Sequence, residues 1–221
     1  MAGYETAVVR LRGWAAGRPT AGLGLLVGTD QVVTCAHVVN TALGRGLREQ
    51  EPPGEADLVH LEFPHLPNAP VRNARVLRSA WAPPPLSGTG GLDVAGLVLT
   101  EAAPSGAERA RFTSTAPEPG ARLHVFGYPA SPAREAGVWV DVDLKGEVGG
   151  QLIQVESSDH QSIKVQPGFS GSPVWDPGTG QVAGLLQAAP FADEIERDAY
   201  LVKPLAVAEA WPEPFDYLLV P

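Results

Sequence analysis

The sequence predicts an all-β protein of barrel or sandwich type, and three observations carry that expectation. Its 221 residues include 25 glycines and 22 prolines, a share of turn formers that suits many short elements and would break up a helical bundle. About a dozen short apolar segments recur along the chain with turn signals between them, the spacing of strands in a closed or stacked sheet. The third observation is period-two alternation, clearest in Val138-Trp139-Val140-Asp141-Val142-Asp143-Leu144 and Val59-His60-Leu61-Glu62-Phe63. Such alternation sends one row of apolar side chains to a core and the other to water.

In chain order, the first strand runs from Val8 to Arg12. Leu25-Leu26-Val27 and Gln31-Val32-Val33-Thr34 flank Gly28-Thr29-Asp30, which reads as a β-hairpin whose glycine supplies a positive φ. Strands follow at Val59 to Phe63, Ala74 to Leu77 and Val94 to Leu99. Asn40 to Asp57, and Ser79 to Leu92 with its Pro83-Pro84-Pro85 run, read as long surface loops. Ala102 to Gly120 is rich in prolines, glycines and charges, so the lobe boundary is placed there, dividing the chain into 1–105 and 106–221. Strands then recur at Arg122 to Phe126, Val138 to Leu144, Leu152 to Glu156, Ser172 to Trp175, Val182 to Gln187 and Tyr200 to Val202. Pro204 opens a short helix that runs to about Trp211, where Pro212 stops it.

Charge and composition narrow the function classes. With a net charge of −9 and 16 Lys and Arg scattered without a stripe, nucleic acid is not an expected partner. No apolar run approaches the roughly 18–20 residues that span a bilayer, and Met1 to Thr6 lacks the regions of a signal peptide, so membrane is excluded and a cytoplasmic location expected. Cys35 is the only cysteine, which rules out an internal disulfide and suits a reducing compartment. No Cys/His/carboxylate set has metal-ligand spacing, and no cofactor is expected.

Three segments carry chemistry. Val32-Val33-Thr34-Cys35-Ala36-His37 is a strand that breaks as it presents a histidine after small residues, the rigid placement a general base needs. Gly168-Phe169-Ser170-Gly171-Ser172-Pro173 leads into a strand. Gly168 permits a turn that aims the N–H groups of Gly168 and Ser170 at a developing oxyanion, and Gly171 leaves room beside the Ser170 hydroxyl. Leu92-Asp93-Val94-Ala95 sets an acid at the head of an apolar strand, where it either caps a turn after Gly90-Gly91 or accepts the Nδ1–H of a histidine. The three follow in the order His, Asp, Ser, separated by 56 and then 77 residues.

Taken together with the Gly127-Tyr128-Pro129 turn and Val182-Ala183-Gly184-Leu185, these blocks resemble the trypsin/chymotrypsin superfamily of serine proteases, in particular the disulfide-free bacterial branch that includes the HtrA-like proteases. The resemblance implies two packed six-stranded antiparallel β-barrels with a short C-terminal helix and the active site in the cleft between them. It implies a serine endopeptidase acting through an acyl-enzyme on a polypeptide substrate. His37 would be the general base, Asp93 its orienting acid and Ser170 the nucleophile, with Gly168 and Ser170 forming the oxyanion hole. Lys164, six residues before Ser170, would lie at the base of the pocket for the side chain preceding the scissile bond. Gln187, Ala188 and Ala189 would form the opposite wall, and an acidic side chain would be preferred.

Departures from the secreted members also have consequences. Phe169 replaces the aspartate that captures a freed N-terminus, so activation by N-terminal insertion is not expected. Ser172 replaces a usual glycine, and no PDZ-like extension follows. Intracellular members of this kind occur fused to signalling NTPases or in conflict systems, which makes a regulatory protein or a fused signalling domain a further expected partner. The competing reading is a catalytically inactive protease-like binding domain. Asp159-His160 beside Ser157-Ser158 reads as a solvated polar turn, His124 as a packed or edge histidine, and Cys35 as a small buried side chain.

Overall fold

Alternating burial closes the first half of the chain on itself. In the computed structural model, which describes residues 3–15, 17, 19–87, 91–130, 132–158, 163–188, 198–215 and 219–220, a 3-10 turn, Gly3–Ala7, leads into β1 (Val8–Arg12), β2 (Thr20–Leu26) and β3 (Gln31–Thr34). After α1 (Ala36–Ala42) come β4 (Val59–Glu62), β5 (Val71–Ala82) and β6 (Val94–Leu99). Pairing in the order β1-β2-β3-β6-β5-β4, with β1 returning to β4, makes a closed antiparallel barrel. Closure removes the sheet edges.

The second barrel repeats the scheme. It is built from β8 (Arg122–Gly127), β9 (Val138–Val148), β10 (Leu152–Ser157), β11 (Pro173–Asp176), β12 (Gln181–Ala188) and β13 (Asp198–Val202). The order β11-β8-β9-β10-β13-β12 is closed by the β11–β12 pairing. Two short strands, β7 (Phe112–Thr113) and β14 (Leu219–Val220), add to it in parallel: β7 pairs with Val182 of β12, and β14 pairs with β7. The two-barrel expectation is met, and these parallel additions lie outside it. Residues of both barrels share one apolar cluster, in which Leu97 and Val94 join Trp175, Val182 and Val202. A second cluster, including Val125, Val155 and Phe169, fills the second barrel alone.

Several local expectations need correction. Asn40 belongs to α1, not to a loop, because Ala36, Val38, Val39 and Ala42 all bury on the barrel. The segment Ser79 to Ala82 continues β5 past an irregularity between Val76 and Trp81, which carries Ala80 back into the core. Gly28 does not adopt a positive φ. Its N–H bonds Gln31 O at 3.2 Å, and a Cβ there would stand 2.2 Å from Gln31 Oε1, so crowding and not handedness explains the glycine. Helix α2 (Pro204–Ala210) starts at Pro204 as expected, but Pro212 opens α3 (Pro212–Phe215), since proline is at home in a first turn. Among the described residues no helix is long and apolar enough to cross a membrane.

Candidate active site

The turn from β3 into α1 sets His37 in the first turn of a helix. First-turn N–H groups lack an intrahelical acceptor, and Cys35 at the N-cap offers no side-chain bond. Asp93, immediately before β6, fills that gap. Its Oδ1 accepts the His37 backbone N–H at 2.9 Å, and its Oδ2 engages His37 Nδ1. The register that pairs Thr34 with Ala95 brings the two residues together. Asp93 is completely buried and His37 is 3% exposed, so protein donors must stand in for water around the carboxylate. A third donor is Gln187 Nε2, 3.2 Å from Asp93 Oδ2. With Nδ1–H given to the carboxylate, Nε2 is left as the ring's acceptor.

Ser170 is held by its neighbours. Gly168 and Gly171 have φ of 102° and 80°, in the region glycine alone enters freely. A Cβ would stand 2.1 Å from Tyr128 O at Gly168 and 2.0 Å from Leu23 O at Gly171. Between them, Phe169 is fully buried in the second barrel's core, and on the far side Ser172 Oγ donates to Phe126 O at 2.6 Å. The hydroxyl of Ser172 therefore has a use that sequence reasoning did not assign. Among the described residues, no backbone carbonyl accepts the Gly168 N–H.

Backbone contacts fasten the two halves of the site together. Leu23 of β2 donates its N–H to Ser170 O at 2.8 Å, and Leu186 O accepts the Gly171 N–H at 2.8 Å. Cys35 Sγ lies 3.6 Å from the same Leu186 oxygen. A Cβ on Gly22 would meet Ser170 O and Val38 Cγ2, each at 2.7 Å, so the Ser170 backbone and the residue after His37 meet on one strand glycine. A glycine inside a strand pattern marks such a close approach, and Gly22 was legible by that signal though unremarked.

Cys35, His37 and Asp93 place possible ligand atoms within 4.8 Å of one another, closer than their sequence spacing indicated. Burial, and then the charge of Asp93, push the Cys35 thiol well above its usual value. Its Sγ is buried and turned to a backbone carbonyl, in keeping with the small buried side chain expected of it. Of the residues expected to line the specificity pocket, Lys164 is half-buried between Ile163 and Val165, which lean on the second barrel's core. Among the described residues it makes no salt bridge. Gln187 turns its side chain to Asp93. Ala188 ends β12, paired with Ala199, while Ala189, Asp159 and His160 lie outside the described residues. His124 is a half-exposed cross-strand partner of Asp141, Nδ1 to Oδ1 at 2.5 Å.

The trypsin-like peptidase domain family matches residues 22–185, which contain all three blocks. The chain belongs to that family. It is a trypsin-like serine protease by family and by fold. No curated protein sequence matches it. Among solved structures it is similar to the active form of the Rv3671c protease from M. tuberculosis, at 20% identity and a TM-score of 0.63 over 100% of this chain and 86% of that one. It is similar to the serine endoprotease of Yersinia pestis, at 15% identity and a TM-score of 0.64 over 97% of this chain and 64% of that one. The scabies mite inactivated protease paralogue S-I1 is also similar, at 13% identity and a TM-score of 0.64 over 96% of this chain and 95% of that one. At these identities the likeness is one of fold, and the fold serves chains described as active and as inactivated alike.

Proposed function

We propose that the chain hydrolyses peptide bonds through an acyl-enzyme, with His37, Asp93 and Ser170 as its triad, His37 and Asp93 from the lobe 1–105 and Ser170 from the lobe 106–221. The observation that carries this reading is the buried double contact of Asp93 with the backbone and ring of His37. An inactivated binder has no chemical use for a buried carboxylate that fixes one histidine tautomer. Ser170 Oγ attacks the scissile carbonyl while His37 Nε2 takes its proton, and the N–H groups of Gly168 and Ser170 receive the oxyanion. The C–N bond then breaks as His37 protonates the leaving amine, and water, activated by His37, releases the acid. Phe169, anchored in the core, supports a site organised without an N-terminal ion pair. A single buried cysteine supports a cytoplasmic setting, where a regulatory protein or fused signalling domain would restrain the enzyme.

Fluorophosphonate labelling tests the reading. Wild type is labelled at Ser170, while Ser170→Ala and His37→Ala are not, and Asp93→Asn slows labelling by about 10⁴. Undiminished labelling in any variant removes that residue from the mechanism, and an unlabelled wild type returns the binding-domain reading. For the pocket we infer that Lys164, half-buried and without a salt bridge among the described residues, selects an acidic side chain before the scissile bond. A fluorogenic library should show Asp or Glu preferred over Arg, with the preference lost in Lys164→Ala. An unchanged profile in the variant excludes Lys164 as the selector.

A further inference from the structure

A second concavity opens beside the Ser170 turn and has no part in the chemistry above. It encloses about 610 Å³ between β1, β2, β4 and the segment after β8, with Thr20, Tyr128 and Pro129 in its wall. Its wall is continuous with the site. Thr20 lies two residues along β2 from Gly22, which abuts the Ser170 carbonyl. The Tyr128 N–H donates to Gly168 O at 3.1 Å.

Among the described residues, the charged groups facing the space are Arg10, Arg12, Arg134, Glu62 and Glu135, an excess of one positive charge on a chain whose net charge is −9. One carboxylate serves two arginines here: Glu62 lies 3.8 Å from Arg10 Nη1 and 3.3 Å from Arg12 Nη1. Arg10 is fixed in place, with Nε donating to Thr20 Oγ1 at 2.7 Å and its guanidinium 3.9 Å above the Tyr128 ring. Burial, and then repulsion from Arg12, hold Arg10 below its usual value. A structural ion pair across β1 and β4 would need one arginine. The second guanidinium and the open volume in front of it are suited to a carboxylate from outside, which an arginine fork binds in two places.

We propose that this pocket is a subsite for an acidic side chain of the substrate on the leaving-group side of the scissile bond. The assignment rests on the acyl-enzyme reading, in which Lys164 and the end of β12 flank the acyl side, so the segment after the bond runs past Gly22 and Tyr128.

Acyl transfer reads that side alone. The full chain is acylated at Ser170 with an ester donor and offered tripeptide amides in which a single Glu, Gln or Lys is walked through three alanine positions. The amine nitrogen attacks the acyl carbon, the ester bond to Ser170 Oγ breaks, and His37 carries the amine proton to Oγ. The ratio of amide to acid formed measures how well each nucleophile is held, and needs only that the enzyme acylates. Glu should exceed Gln by about 5- to 10-fold at one position, with Lys below both, the range for a charge pair at a partly exposed site. Arg12→Gln should level Glu and Gln, and Arg12→Glu should turn the preference toward Lys. Should the Arg12 variants not fold, the exposed Arg134→Glu must lower the Glu preference. Equal ratios for Glu and Gln in wild type, or a profile unmoved by these variants, overturn the subsite while leaving the acyl-enzyme intact. Absence of both ester turnover and Ser170 labelling overturns the acyl-enzyme reading and the subsite with it.

Discussion

Gln187 illustrates how a single buried side chain can serve an acid at some cost to itself. Its amide N–H reaches Asp93 at 3.2 Å, while its Oε1 is buried without a partner among the described residues. An unpaired buried acceptor costs about 1–3 kcal/mol, and a bond to a charged group returns a similar amount. Gln187→Leu should therefore leave the denaturation midpoint nearly unchanged while depriving Asp93 of one of its three donors. On the proposed mechanism, fluorophosphonate labelling slows by about 10-fold, the loss of one charge-assisted bond at a partly redundant carboxylate. Gln187→Glu, which sets a second carboxylate against Asp93, should slow it further. Equal labelling rates in both variants would separate Gln187 from the function of Asp93. The sequence named Gln187, but as a pocket wall. Nothing in the order Leu185-Leu186-Gln187 tells which way a strand-end side chain turns, because that depends on the register of β12 against β11 and β13.

At the scale of elements, the strands were legible and the transitions were not. Alternation located the starts of β4 and β9, since burial on one face leaves a period-two trace, and β6 was legible as a short run of apolar residues buried on both faces. Alternation could not find α1, because a seven-residue helix with buried Ala36, Val38 and Val39 looks like the continuation of an apolar strand. Nor could it find the end of β5, where a register irregularity breaks the period. The Ser170 turn was legible through its glycines, and the structure separates those that are required from those that merely permit. Gly171, at φ 80° with Leu23 O 2.0 Å from a would-be Cβ, joins the two barrels, whereas Gly149, at φ 63°, faces open space. Gly171→Ala should cost more than about 2 kcal/mol, and Gly149→Ala about 1 kcal/mol from backbone strain alone. Urea denaturation of the two variants checks the ordering, and a reversal would mean that the turn relaxes without disturbing β2.

At the scale of the whole molecule, the question is whether two barrels behave as one folding unit. Sequence composition placed the division of the chain between strand-rich halves but gave no sign of what crosses it. The structure answers with the segment after β13. Trp211, 2% exposed, stands where a Cβ on Gly96 of β6 would lie 2.6 Å from its Cε3, beside Ala80 of β5. Phe215 meets Phe112 of β7 with ring centroids 4.9 Å apart. The segment after β13 thus follows the second barrel in sequence and, through Trp211, packs on β5 and β6 of the first, while Phe215 packs on β7 beside the second; both residues belong to the same cluster as Trp175, Val182 and Val202. If that shared cluster couples the barrels, tryptophan fluorescence and catalytic activity should be lost in one coincident urea transition. Trp211→Ala should move both probes together, by the 3–5 kcal/mol or so expected when a buried aromatic leaves a cavity. Were the barrels independent, the substitution would lower the stability of the first alone, and fluorescence would divide into two steps. Two steps in wild type would show that the contact through Trp211 is too weak to make the molecule unfold as a unit.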